Sequence, residues 1–186
     1  MRKSLLALGA AMMIFGTTPV VSQAQSVGSL MHNPNAIEWD FRGNSKKISL
    51  VESNTPSGMA INANVKKRKT NPWDIVLFFE LRDGVEKGDK ISVEFMTRTA
   101  KAPKGQDNAE FVVFVGRNEA PYDYIISEDV LPGSEWETIK LEAVAEADMP
   151  AGDVKVEFQL AKHKQVIEFE SVYVRNHGPA LAVATE

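Results

Sequence analysis

Residues 70–100 read TNPWDIVLFFELRDGVEKGDKISVEFMTRTA, and the alternation inside this stretch decides the fold. Counted from Trp73, one set of alternate residues is Trp73, Ile75, Leu77, Phe79 and Leu81. The other is Asp74, Val76, Phe78, Glu80 and Arg82. After a turn at Arg82-Asp83-Gly84 and Lys87-Gly88-Asp89, Ile91, Val93 and Phe95 alternate with Ser92, Glu94, Met96 and Arg98. A period of two predicts two half-buried strands. One row is apolar enough to be core, which places Trp73 inside. The other row mixes apolar and charged residues, and function is sought there.

The same pattern runs outward along the chain. It predicts strands at 37–41, 47–52, 59–65, 73–81, 89–99, 109–116, 122–127, 135–143, 153–160 and 165–175. Turn chemistry separates them, as in Pro132-Gly133-Ser134 and Pro150-Ala151-Gly152-Asp153. Helical periodicity is nearly absent, and 142–148 is read as a loop. Many short strands between turns imply an all-β sandwich or barrel. In the last strand Ile167 and Phe169 share a face, whereas Val172 and Val174 share it only if a bulge falls near Glu170-Ser171.

The first 24 residues are set apart. Arg2 and Lys3 precede an apolar run from Leu5 to Phe15, and Ser22-Gln23-Ala24 places small residues where a signal peptidase reads. The run is too short to span a bilayer. A cleaved export signal, residues 1–24, is expected, with an uncleaved anchor as the other reading. Residues 25–36 read as a lead-in, 37–176 as one domain and 177–186 as a loose tail. The chain has 186 residues and no cysteine, so its core forms without disulfides. Its net charge of −4 becomes more negative when Arg2 and Lys3 leave. A bacterial periplasmic or extracellular protein is expected. An acidic balance argues against nucleic acid as a partner.

Several segments in order resemble the jelly-roll carbohydrate-binding modules of the galactose-binding-like superfamily, of the type attached to xylanases and cellulases. They are Asn71-Pro72-Trp73-Asp74-Ile75, the run 85–95 (VEKGDKISVEF), Trp136 opening a strand, 154–160 (VKVEFQL) and 167–172 (IEFESV). The resemblance covers residues 33–176 and implies a two-sheet antiparallel jelly-roll sandwich. It also implies a secreted, non-catalytic module that holds a polysaccharide or oligosaccharide on an outer sheet face. The family usually carries paired aspartates at the last-strand bulge, where one helps hold a structural calcium. Here the pair is Glu170-Ser171, so Glu170 is the one candidate metal ligand.

The ligand-binding candidates are Asp74, Phe78, Glu80, Glu94, Met96, Arg98, Glu157 and Gln159. Acids and donors together suit hydroxyl recognition, and Phe78 and Met96 offer apolar platforms. The other reading of this row is a solvated sheet crossed by ion pairs such as Glu94 or Glu157 with Arg98. Jelly-roll strands alternate between sheets, so the row need not lie on one face. Tyr122 and Tyr124 are expected to cap the edge of the core, with the border of a cleft as the other reading. The run Lys66-Lys67-Arg68-Lys69 is read as a solvated loop, or as a contact for an anionic polysaccharide or surface phosphate. No GxSxG, HExxH or P-loop pattern is present, and the three histidines lie in a lead-in, a turn and the tail. No catalytic residue is assigned; if the chain were an enzyme, a glycan-active hydrolase using paired carboxylates would be the form. The alternative to sugar binding is a jelly roll that has lost its glycan and engages another secreted protein.

Overall fold

The computed structural model describes residues 28–180. The expected export signal lies outside the described residues, as do residues 25–27 of the lead-in and 181–186 of the tail. The described residues form eleven strands: β1 (Ser29–Leu30), β2 (Asp40–Arg42), β3 (Lys46–Glu52), β4 (Met59–Val65), β5 (Val76–Glu80), β6 (Asp89–Lys101), β7 (Phe111–Arg117), β8 (Tyr124–Val130), β9 (Glu137–Val144), β10 (Val154–Gln159) and β11 (Gln165–Pro179). A single 3-10 turn, Pro72–Asp74, precedes β5. The strands make two antiparallel sheets. The first has the order β3-β4-β11-β6-β9, with β1 added beside β11. The second has the order β2-β5-β10-β7-β8. Of the sandwich or barrel that the alternation allows, this is the sandwich, with the two-sheet jelly-roll form that the resemblance implies.

The inward rows are the apolar ones. Leu77 and Phe79 from β5, Val113 and Val115 from β7 and Val156 and Phe158 from β10 face Val93, Phe95, Ile167 and Phe169 across the sandwich. Phe158 sits at the centre of an aromatic cluster, with ring centroids 5.2 Å from Phe95, 6.1 Å from Phe111 and 4.8 Å from Phe169. Such pairs add to the burial of large apolar area that drives the two sheets together.

The predicted slip in the last strand is present. The β11–β6 register shifts between Glu170 and Val172, and Ser171 takes φ 47°. The extra residue returns Val172 and Val174 to the core side. Both ends of the domain are more ordered into the sheet than the sequence suggests. Met31 is core, and β1 pairs with β11 at Ser29↔Asn176. Strand β11 itself runs through Pro179, inside the segment read as tail.

Candidate functional site

Trp73 corrects the reading of the opening stretch. It is 58% exposed, not core. Pro72 and Trp73 belong to the 3-10 turn, so the two-residue period starts only at Ile75, and Trp73 is turned out of phase. Asp74 closes this turn: its carboxylate accepts the Asn71 N–H at 3.0 Å. Its role is local. Trp39 leans edge-on against Phe79 at 4.9 Å, half-buried beside the core.

The outward candidates divide between the two sheets. Phe78 and Glu80 on β5 and Glu157 and Gln159 on β10 share the outer face of the second sheet, with Glu157 opposite Phe78 in register. Glu94, Met96 and Arg98 lie on β6, in the first sheet, and so on the far side of the sandwich. The expected ion pairs of Arg98 with Glu94 or Glu157 do not form. Arg98 pairs with Glu168 on the neighbouring strand at 2.7 Å, and its guanidinium lies 5.0 Å from the Trp136 ring centroid. Further along that face Glu142 takes Lys140 and Lys90, each at 2.6 Å. The hydrogen bonds from these two ammonium groups hold Glu142 down to about 2. The first sheet thus presents a face crossed by satisfied ion pairs.

The second sheet is built differently. Every residue of β10 is buried, outward-facing Lys155, Glu157 and Gln159 included, and Phe78 beside them is buried too. Among the described residues no third layer covers this sheet. The central side chains shield one another, and Arg42 lies over Phe78, so the outer face is a shallow trough between exposed flanks. On one flank, Asp40 and Arg42 of β2 are exposed. On the other, Tyr124, Ser127 and Asp129 of β8 are exposed. Tyr122 and Tyr124 therefore stand in solvent, not at the core edge, and Tyr124 lies 6.3 Å from the outward ring of Phe114. Because β2 is only three residues long, β5 loses its neighbour beyond Asp40. A cleft of about 340 Å³ opens there, lined by His32, Trp39, Asp40, Phe78, Glu80 and others.

The trough floor holds a charged network. Lys155 Nζ donates to Glu157 Oε2 at 2.7 Å, and Arg42 reaches the same oxygen at 3.3 Å. Glu157 Oε1 accepts the Gln159 amide at 3.1 Å. Arg42 also lies over the Phe78 ring, 4.6 Å from its centroid, and Lys155 Nζ lies 5.7 Å from that of Phe114. Glu80 accepts the Asn118 amide at 3.0 Å. At one end of the trough Lys162 bridges Glu110 and Asp129, and His163 reaches Glu110 at 3.1 Å. Glu110 is held below the usual carboxylate range, first by the Lys162 hydrogen bond and then by His163. Partial burial pulls Lys162 down, but the hydrogen bonds to Asp129 and Glu110 outweigh it and keep its ammonium above the usual value. The arrangement offers fixed donors and acceptors around shallow apolar ground, which suits a polyhydroxylated ligand.

Residues 32–164 match the family model of a carbohydrate binding domain, CBM_4_9. The chain belongs to this carbohydrate-binding family. The match takes in both flanks and the floor of the trough. Solved structures agree on the fold. One described as "CBM4 structure and function" superposes with a TM-score of 0.57 at 14% identity, covering 74% of this chain and 94% of that one. The CBM22-1 xylan-binding domain of Paenibacillus barcinonensis Xyn10C gives 0.56 at 15%, covering 84% and 100%. The N-terminal cellulose-binding domain of Cellulomonas fimi β-1,4-glucanase C gives 0.54 at 16%, covering 83% and 97%. Among curated proteins no sequence matches the chain.

The carbohydrate-binding domain departs from the implied calcium site. Glu170 is buried; its Oε1 accepts the Ser57 N–H at 3.3 Å and the Ser171 hydroxyl at 2.5 Å, while Oε2 is buried without a partner. That oxygen is what a cation would satisfy. The adjoining turn brings the hydroxyls of Ser53, Thr55 and Ser57, and among the described residues no three acidic, histidine or cysteine side chains cluster, so no two further carboxylates stand beside Glu170. Calcium takes six to eight oxygens, several of them usually carboxylate. The described residues do not fit it.

Arg42 was not among the sequence candidates, and Lys155, Tyr124 and Trp73 were considered there without being assigned to ligand binding. Lys155 carried a signal, since it alternates with Val156 beside Glu157. Arg42 carried none, because β2 is too short for periodicity to show.

Proposed function

We propose that this non-catalytic carbohydrate-binding domain takes its polysaccharide or oligosaccharide in the trough on the second sheet. Phe78, Glu80, Glu157 and Gln159 supply the floor and one wall, with Arg42, Asp40, Asn118 and Tyr124 at the rim. Glu94, Met96 and Arg98 belong to the opposite face and take no part. The observation that carries this reading is the complete burial of β10 on an outer sheet face that no third layer covers among the described residues. Such a depression lets a sugar chain meet several strands at once, and exchanges weakly held water for ordered hydrogen bonds.

Export accompanies this reading. It is supported by the basic start, the apolar run and Ser22-Gln23-Ala24. Among the described residues no helix is long and apolar enough to cross a membrane. Mass determination of the chain recovered from outside the cytoplasm tests it; a mass that still includes residues 1–24 contradicts cleavage.

The trough itself is tested by isothermal titration with a panel of soluble oligosaccharide fragments, neutral (xylan, cellulose, mixed-linkage glucan) and uronate-bearing, of which at least one is expected to bind. Saturable binding that Tyr124→Ala and Glu80→Gln weaken, with Met96→Ala unchanged, is expected. Binding lost on Met96→Ala and kept in the other two would place the ligand on the wrong sheet.

A further inference from the structure

We infer that the glycan held in this trough is an acidic polysaccharide, one bearing uronate carboxylates or sulfate esters; the inference rests on the trough being the glycan surface. The positive charge of the floor is gathered around Glu157, while Asp40 and Glu80 are acids of the same trough. Two cations, Lys155 and Arg42, share one carboxylate, Glu157, and both use the same oxygen. Glu157 is filled by these contacts and by Gln159, so it offers no further compensation. The Arg42 side chain is 58% exposed and held flat on Phe78, with most of its donors open to solvent. A planar guanidinium fixed in this way is suited to a carboxylate or sulfate. The same contacts disfavour a neutral sugar lying on the rings. Arg42 covers Phe78, and Lys155 approaches Phe114.

The basic run continues this charge at the end of the trough nearest Arg42. Lys66 donates its backbone N–H to Ser45 O at 2.8 Å, and Lys69 Nζ reaches Asn44 Oδ1 at 2.5 Å. Asn44 and Ser45 follow Arg42 by two and three residues. The Lys69 N–H also bonds Ala161 O at 3.0 Å, just beyond the end of β10. Gly43 lets this turn close: at φ 92°, a Cβ there would stand 2.1 Å from Asp74 O. Lys66, Lys67 and Arg68 are exposed and form no ion pair among the described residues. The nearby acids are engaged: Asp74 by Asn71, and Glu110 and Asp129 by Lys162. At the other end of the sandwich Asp83, Glu86, Glu119, Glu146 and Asp148 are exposed. An acidic chain has therefore gathered unpaired cations at one end of its trough, a field that draws in an anionic polymer.

Affinity electrophoresis tests this, with alginate or polygalacturonate, carrageenan, neutral xylan and polyglutamate cast in separate gels. Retardation by the uronate or the sulfated polymer is expected, weakening as salt rises. Either polymer alone supports the inference and assigns the anion. Arg42→Gln, and a triple Lys66→Gln, Lys67→Gln, Arg68→Gln variant, are each expected to lower that affinity roughly tenfold, the loss of about one charge-assisted hydrogen bond. Both alter exposed side chains, and unchanged thermal melts show them folded. Equal or stronger retardation by neutral xylan, unaffected by Arg42→Gln, overturns the inference and leaves the glycan reading standing. Equal retardation by polyglutamate overturns it as unselective charge attraction. No retardation in any sugar gel removes the glycan reading itself.

Discussion

Lys155 and Glu157, two residues apart on β10, point out of the same sheet face and pair at 2.7 Å with only 7% and 5% of their side chains exposed. Neither charge is solvated well enough to stand alone. Replacing Glu157 by Gln leaves Lys155 shielded and without a counter-charge. That change is expected to cost about 3–5 kcal/mol, whereas Lys155→Met with Glu157→Leu, which removes both charges, costs far less. Urea unfolding of Lys155→Met, Glu157→Leu and the double variant measures the coupling, with Glu157→Gln as the isosteric control. Additive losses would show that the pair is not coupled.

Phe158 is the second point of sensitivity. It packs against the rings of Phe95 and Phe169 across the sandwich and of Phe111 on the neighbouring strand, and lies 6.1 Å from Trp39. Phe158→Ala opens a cavity where both sheets meet and is expected to lower stability by about 3–5 kcal/mol. A loss below about 1 kcal/mol by chemical denaturation would mean that the core collapses to fill the space.

His32 gives the domain a pH dependence. Its Nε2 accepts the Val174 N–H at 3.1 Å, so the ring is neutral with its proton on Nδ1. Burial pushes its pKa below the usual 6.5, against a smaller opposing effect from the Asn33 backbone. The unfolded chain therefore takes up this proton first as pH falls. His32 supports the fold fully above 6.5, and this support fades as pH drops from 6.5 through the lower folded value. Melting temperatures measured across that window are expected to fall, and His32→Gln is expected to lose that step. An identical pH profile in the variant would assign the step to other groups.

Trp73 separates binding from stability. It is a large exposed ring beside the Gly43 turn, at the basic end of the trough. Trp73→Ala is expected to change the melting temperature little and to weaken glycan retention at least several-fold, as loss of an aromatic platform would. Unchanged retention would leave Trp73 without a part in binding.

These residues also show what a sequence can and cannot tell. Ile75, Leu77 and Phe79 were readable as core, and so was the bulge at Ser171, because each shows as a local phase of two. Trp73 was not, since the 3-10 turn at Pro72 interrupts that phase before the strand starts. The outward direction of Phe78, Glu94 and Glu157 was equally visible. Their division was hidden, because β5 pairs with β10 across some eighty residues of chain while β6 crosses to the other sheet. Sheet membership is a tertiary property, and alternation carries no record of it. The basic run was visible as charge, but its attachment beside Arg42 depends on backbone contacts with Asn44, Ser45 and Ala161.

The most direct measurement is amide chemical-shift mapping of the domain titrated with a bound oligosaccharide. Shifts concentrated in β2, β5, β10, β7 and β8, around Arg42, Phe78, Glu157 and Tyr124, are predicted. Shifts centred on β6 and β9, around Glu94, Arg98 and Lys140, would contradict the trough as the binding surface.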